Sequence, residues 1–131
     1  MARLQPLSKA EMEIARLVWE QGSATVRQIA DALPADRDVD LKTVQTFLRR
    51  LEAKGYLKTR RDGRSAVYTP RVEQAKVVRD TVRDFTKRLF GGDALPLVTH
   101  LIEDGGLDEA DIRQLRKLID RLEQQSHERR T

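Results

Sequence analysis

Six polar side chains, Lys42, Thr43, Gln45, Thr46, Arg49 and Arg50, fall on one side of the segment LKTVQTFLRRLEAK, and Arg60, Arg61 and Arg64 cluster shortly after it. Arginine and glutamine can bind base edges in bidentate fashion, threonine adds a hydroxyl and a methyl, and lysine and arginine neutralise phosphates. From Leu41 to Arg64, eight Lys or Arg residues oppose only Glu52 and Asp62. The whole net charge of +4 resides in residues 1–70, because residues 71–131 hold equal numbers of cations and carboxylates. That concentration has the electrostatic character of a phosphate-binding surface. A basic run alone is equally explained as a solvated face, so the reading depends on the elements that present it.

Those elements are legible from local signals. Ser8 and Glu11 have the spacing of a capping box, which starts a first helix carrying Met12, Ile14, Ala15, Leu17, Val18 and Trp19 and ending at Gly22. Thr25 and Gln28 repeat the spacing before Val26, Ile29, Ala30 and Leu33, and Pro34 closes this short second helix. Asp40 caps a third helix, Leu41 to Lys54, stopped by Gly55, with Val44, Phe47, Leu48 and Leu51 as its buried side. From Tyr56 to Thr69 the period changes to alternation around Arg61-Asp62-Gly63-Arg64, a strong hairpin signal centred on Asp-Gly. Three helices followed by a basic hairpin in residues 1–70 predict a winged helix-turn-helix, with the third helix as the reading helix and the hairpin as the wing. The fold class expected is mainly α with a small β-hairpin.

Pro70 marks the change to a helical region over 71–131. Ala75, Val78, Val82, Phe85 and Leu89 form a narrow heptad seam between charged flanks. Gly91-Gly92 ends that helix, Asp93 caps a short one through Leu95, Leu97, Val98, Leu101 and Ile102, and Gly105-Gly106 breaks the chain again. Asp108 begins a last helix with Ile112, Leu115, Ile119 and Leu122, and Gln124 to Thr131 reads as a frayed tail. Three short amphipathic helices supply too little core to stand alone, which predicts a homodimer. The residues expected in its interface are Val78, Val82, Phe85, Leu89, Leu97, Leu101, Ile112, Leu115 and Ile119.

Other functions find little to build on. With no cysteine and only two histidines, disulfides, thiolate metal sites and cysteine catalysis are excluded. There is no P-loop, no dinucleotide-binding glycine motif and no H-E-x-x-H, so no enzyme is expected. His100 and His127 are isolated and read as packed or solvated, and Asp108, Glu109 and Asp111 as carboxylates at a helix N-terminus. Cofactor, metal and small-molecule ligand are all predicted to be none. The N-terminal residues lack a signal-peptide apolar run, which predicts a cytoplasmic protein.

With these residues in place, the chain resembles the BlaI/MecI/CopY transcriptional repressors. The likeness rests on LSKAEMEIARLVWEQG, on LKTVQTFLRRLEAKGYL and above all on FTKRLFGGDALPLVTHLIEDGGLDEADIRQLRKLID. The resemblance implies a homodimer on a palindromic double-stranded DNA operator, released when a membrane-bound sensor metalloprotease leads to cleavage in the dimerisation half. The scissile bond it implies falls most nearly at His100-Leu101, where the antibiotic-resistance members carry an Asn-Phe pair. Lys42, Thr43 and Thr46 match family positions that face DNA, while Gln45 replaces an arginine. Because bidentate arginine reads guanine and bidentate glutamine reads adenine, the operator is expected to differ at the matching base pair. The metal-binding cysteines of the copper-responsive branch are missing here.

The competing reading is a winged-helix protein-interaction module. Protein hot spots favour tryptophan, tyrosine and clustered apolar anchors, whereas the exposed row of the third helix consists of hydrogen-bond donors suited to bases and phosphates.

Overall fold

The computed structural model describes residues 4–130. The chain forms two compact units, Met1–Arg83 and Asp84–Thr131.

The first unit begins with α1 (Lys9–Gln21), whose capping box is complete. The Glu11 N–H donates to Ser8 Oγ at 3.2 Å and the Ser8 N–H donates to Glu11 Oε1 at 2.8 Å. A short strand β1 (Ala24–Thr25) leads into α2 (Val26–Ala32), where Thr25 and Gln28 form a second reciprocal cap. The 13-residue helix α3 (Leu41–Ala53) follows, then β2 (Leu57–Asp62) and β3 (Ser65–Pro70). The strands make an antiparallel sheet in the order β1-β3-β2. The architecture is a winged helix: three helices with a small sheet whose longer hairpin is the wing.

Two details differ from the sequence expectation. The connection after Gly22 contains β1, which pairs Ala24 with Tyr68 and Thr25 with Val67. In the hairpin, Asp62 belongs to the last strand pair, opposite Ser65, so the loop is Gly63-Arg64. Gly63 has φ +64°, the positive value that a two-residue hairpin with glycine at its first central position requires.

The core gathers Leu7, Ile14, Leu17, Val18, Ile29, Val44, Leu48, Leu51, Tyr56, Leu57 and Tyr68, with Trp19 partly buried against it. Trp19 Nε1 donates to the Val72 carbonyl at 3.1 Å, and Val77 is a core member, so the compact unit carries on past the end of β3. Val77 belongs to α4 (Gln74–Phe90) and is not a member of the heptad seam.

One charged group lies inside this core. Glu11 is 2% exposed, and its Oε1 accepts from Lys54 Nζ at 2.7 Å. Burial pushes the Glu11 carboxyl up, but hydrogen bonds from Lys54 and Ser8 and the Lys54 charge outweigh it and hold the group below the ordinary glutamate value. A carboxyl depressed in the folded state stabilises the fold at pH above its unfolded value, and this contribution is lost as pH falls through the lower folded value. Lys54→Met should cost about 2–3 kcal/mol, somewhat below a fully buried pair because Lys54 keeps some exposure. It should also weaken the loss of stability on acidification, since two of the influences that hold the Glu11 carboxyl down come from Lys54. Urea unfolding midpoints measured from about pH 3 to about pH 7 for both proteins check both effects.

The second unit contains the end of α4, then α5 (Ala94–Glu103), capped by Asp93, and α6 (Glu109–Arg130). The tail expected to fray from Gln124 is helical through Arg130, in keeping with the helix-forming Glu, Gln and Arg residues of that stretch, and Thr131 lies outside the described residues. No apolar side chain after Val77 belongs to the core among the described residues.

Candidate nucleic-acid interface

The third helix is fixed at both ends by local chemistry. Asp40 accepts the Thr43 N–H at 2.8 Å, and this hydrogen bond holds its carboxyl below the usual aspartate range. At the other end Gly55 adopts φ +91°. Between them Val44, Leu48 and Leu51 have no exposed surface, which fixes the rotation of α3. Lys42, Thr43, Thr46, Arg49 and Arg50 are exposed as a result, and Gln45 is half-buried.

Two of these side chains are already constrained. Thr46 Oγ1 donates to the Lys42 carbonyl at 3.0 Å, which uses its proton and leaves the hydroxyl an acceptor. The Arg50 guanidinium lies 5.6 Å from the centre of the Phe47 ring, within cation–π range. Phe47 itself is expected on the buried side and is half-buried, packed against the core at its border with the exposed polar row.

In the wing, β2 buries only Leu57 and exposes Lys58 through Asp62, so Arg60 and Arg61 are exposed, as is Arg64 in the loop. Arg61 Nη1 reaches the Arg64 carbonyl at 3.4 Å, a long contact across the tip. Thr59 Oγ1 donates to Glu52 Oε2, so one of the two carboxylates in the basic stretch links the helix to the wing. The chain thus brings the helix row and the wing arginines onto one small unit. Lys54 is a correction to the charge argument: its ammonium is committed to Glu11 and to the Pro6 carbonyl. A pairing across 43 residues leaves no local trace.

The candidate dimerisation residues remain largely open in the single chain. Val78, Val82, Phe85 and Leu89 are 48–65% exposed, Leu101, Ile112 and Ile119 are exposed, and Leu97 and Leu115 are half-buried. Phe85 packs edge-on to Phe90, with ring centres 6.2 Å apart, and Phe90 lies 6.1 Å from His100. His100 and Leu101 are both exposed on α5. Among the described residues no group of three or more His, Cys, Asp or Glu is placed to hold a metal ion, and no helix is long and apolar enough to cross a membrane.

Known proteins match this sequence over nearly its whole length. Residues 7–121 match the penicillinase repressor family. The penicillinase repressor of Bacillus licheniformis is 27% identical over 120 residues, covering 92% of this chain and 94% of its own. The methicillin resistance regulatory protein MecI of Staphylococcus aureus (strain N315) is 25% identical, with 88% of this chain and 94% of its own covered. Among solved structures, the DNA-binding domain of the repressor BlaI superposes on 57% of this chain and 92% of its own, with a TM-score of 0.50 and 32% identity. These relatives are transcriptional repressors rather than enzymes. A winged helix with an exposed polar row on its third helix, joined to C-terminal helices and matched from Leu7 to Arg121, makes this chain a member of the penicillinase repressor family.

Proposed function

We propose that the protein is a homodimeric, cytoplasmic transcriptional repressor that binds a palindromic operator, inserting one α3 per half-site while each wing holds the flanking phosphates. The observation that carries the DNA contact is the exposed row Lys42, Thr43, Thr46, Arg49 and Arg50 on a helix whose rotation the core sets. The protein named BlaI, whose DNA-binding domain resembles residues of this winged helix, supports the same reading. Exposed apolar side chains along α4, α5 and α6 support assembly with a second copy, because such faces are costly to leave in water. Derepression is then proteolytic: cleavage near His100-Leu101, prompted by a membrane-bound sensor metalloprotease, would separate α6 from the shared interface.

Base reading is divided from phosphate holding. Gln45 and Thr46 read base edges, whereas Arg50, Arg60, Arg61 and Arg64 serve the backbone. Gln45→Ala should therefore lose about 1–3 kcal/mol of discrimination at one base pair per half-site. Arg64→Ala should weaken all sequences alike. Selection of duplexes from a random-sequence pool by each protein checks this, and an unchanged preference for Gln45→Ala would remove Gln45 from the reading set.

A further inference from the structure

Lys54, Gly55 and Tyr56 join the C-terminal end of α3 to the start of β2, so their conformation sets how the helix and the wing meet one duplex. All three are gripped by the segment Leu4–Leu7, which belongs to no helix or strand. Lys54 Nζ donates to the Pro6 carbonyl at 3.1 Å, and Tyr56 Oη donates to the Gln5 carbonyl at 2.5 Å. Leu4 Cδ2 stands 3.1 Å from where a Cβ on Gly55 would be, so the segment crosses tightly over a residue with φ +91°. The far end of the segment is anchored as well: Leu7 is a core residue, and Ser8 and Glu11 close the cap of α1 on the same Lys54 ammonium. Three contacts from one short stretch therefore converge on the three-residue joint between the two DNA-facing elements.

We propose that Leu4–Leu7 is a strap that sets the angle between reading helix and wing, with Lys54 and Tyr56 as positioning residues whose polar atoms are committed to the strap rather than to DNA. The proposal rests on the reading of α3 and the wing as the DNA-binding elements. Specific binding needs base contacts by the helix and phosphate contacts by the wing at the same time, whereas non-specific binding uses phosphate contacts that tolerate a change of angle. Loosening the joint should thus lower operator affinity while leaving random-duplex affinity in place.

The test uses the full chain and the best duplex that the unaltered protein selects from a random-sequence pool, with unselected duplex as the second probe. Tyr56→Phe removes only the hydroxyl that holds Gln5 and keeps the ring in the core. Tyr56→Phe and Lys54→Met should each reduce the ratio of selected to unselected affinity by roughly three- to tenfold, the scale of one lost hydrogen bond. The affinity for unselected duplex and its salt slope should not change, and Lys54→Arg should restore the ratio. Partial unfolding would instead lower both affinities in proportion to the folded fraction, so the ratio separates positioning from stability. A ratio unchanged in both variants, or an equal fall on both probes, overturns the strap. If the unaltered chain selects no sequence at all, the DNA reading beneath it fails as well.

Discussion

The fragment Met1–Arg83 is expected to bind the operator about 10²- to 10⁴-fold more weakly than the full chain, although it retains every side chain proposed to touch DNA. A dimer presents its second winged helix at a high effective concentration once the first has docked, and that gain vanishes when the dimerisation helices are removed. The cut belongs after Arg83 because the compact unit extends that far. A fragment ending near residue 72 would lose Val77 from the core and would mix a stability loss into the binding measurement. A chain ending at His100 should fall between the two, since it keeps α4 and most of α5 but discards Ile112, Leu115 and Ile119. Within the full chain, Phe85→Ala meets the proposed two-fold interface twice and should shift the protein toward monomer in sedimentation. Comparable operator affinity for the fragment and the full chain in one gel-shift series would remove the C-terminal helices from the dimerisation role.

Salt should act at least as strongly. If four of Lys42, Arg49, Arg50, Arg60, Arg61 and Arg64 reach phosphates in each half-site, a dimer displaces about eight counterions, and affinity should drop roughly 10³- to 10⁵-fold between about 50 and 200 mM salt. Each Arg→Ala change at a phosphate contact should shallow the slope by about 1 per half-site. Fluorescence anisotropy across a salt series reads both quantities. A slope near zero would assign the basic stretch to a solvated face, the explanation that charge alone left open.

What was legible in the residues was mostly local. The caps at Ser8 and Thr25 depend on groups three positions apart, and both form as the spacing predicts. Val44, Leu48 and Leu51 recur at helical spacing, so the face opposite them could be named before any coordinates. What escaped is what distance along the chain conceals. β1 is two residues long and acquires its strand character only from Val67 and Tyr68. Lys54 looked like one more phosphate-binding cation until Glu11 appeared beside it. Val77 sits one position away from a seam residue yet packs into the winged-helix core, whereas Val78 is 49% exposed. The hairpin was evident from Asp62-Gly63, but which residues occupy the loop depends on strand register, which the pairing of Asp62 with Ser65 decides. The heptad seam is an extreme case: its periodicity is plain in the sequence, and a second copy is what would bury it.

Sequencing the DNA fragments that the purified full chain retains from its own genome tests the central claim most directly. The account predicts a shared palindromic motif whose two half-sites lie about one helical turn apart or a multiple of it, because two-fold protein symmetry is mirrored in the operator. Retained fragments that share no motif, or that share a single unrepeated half-site, would contradict it.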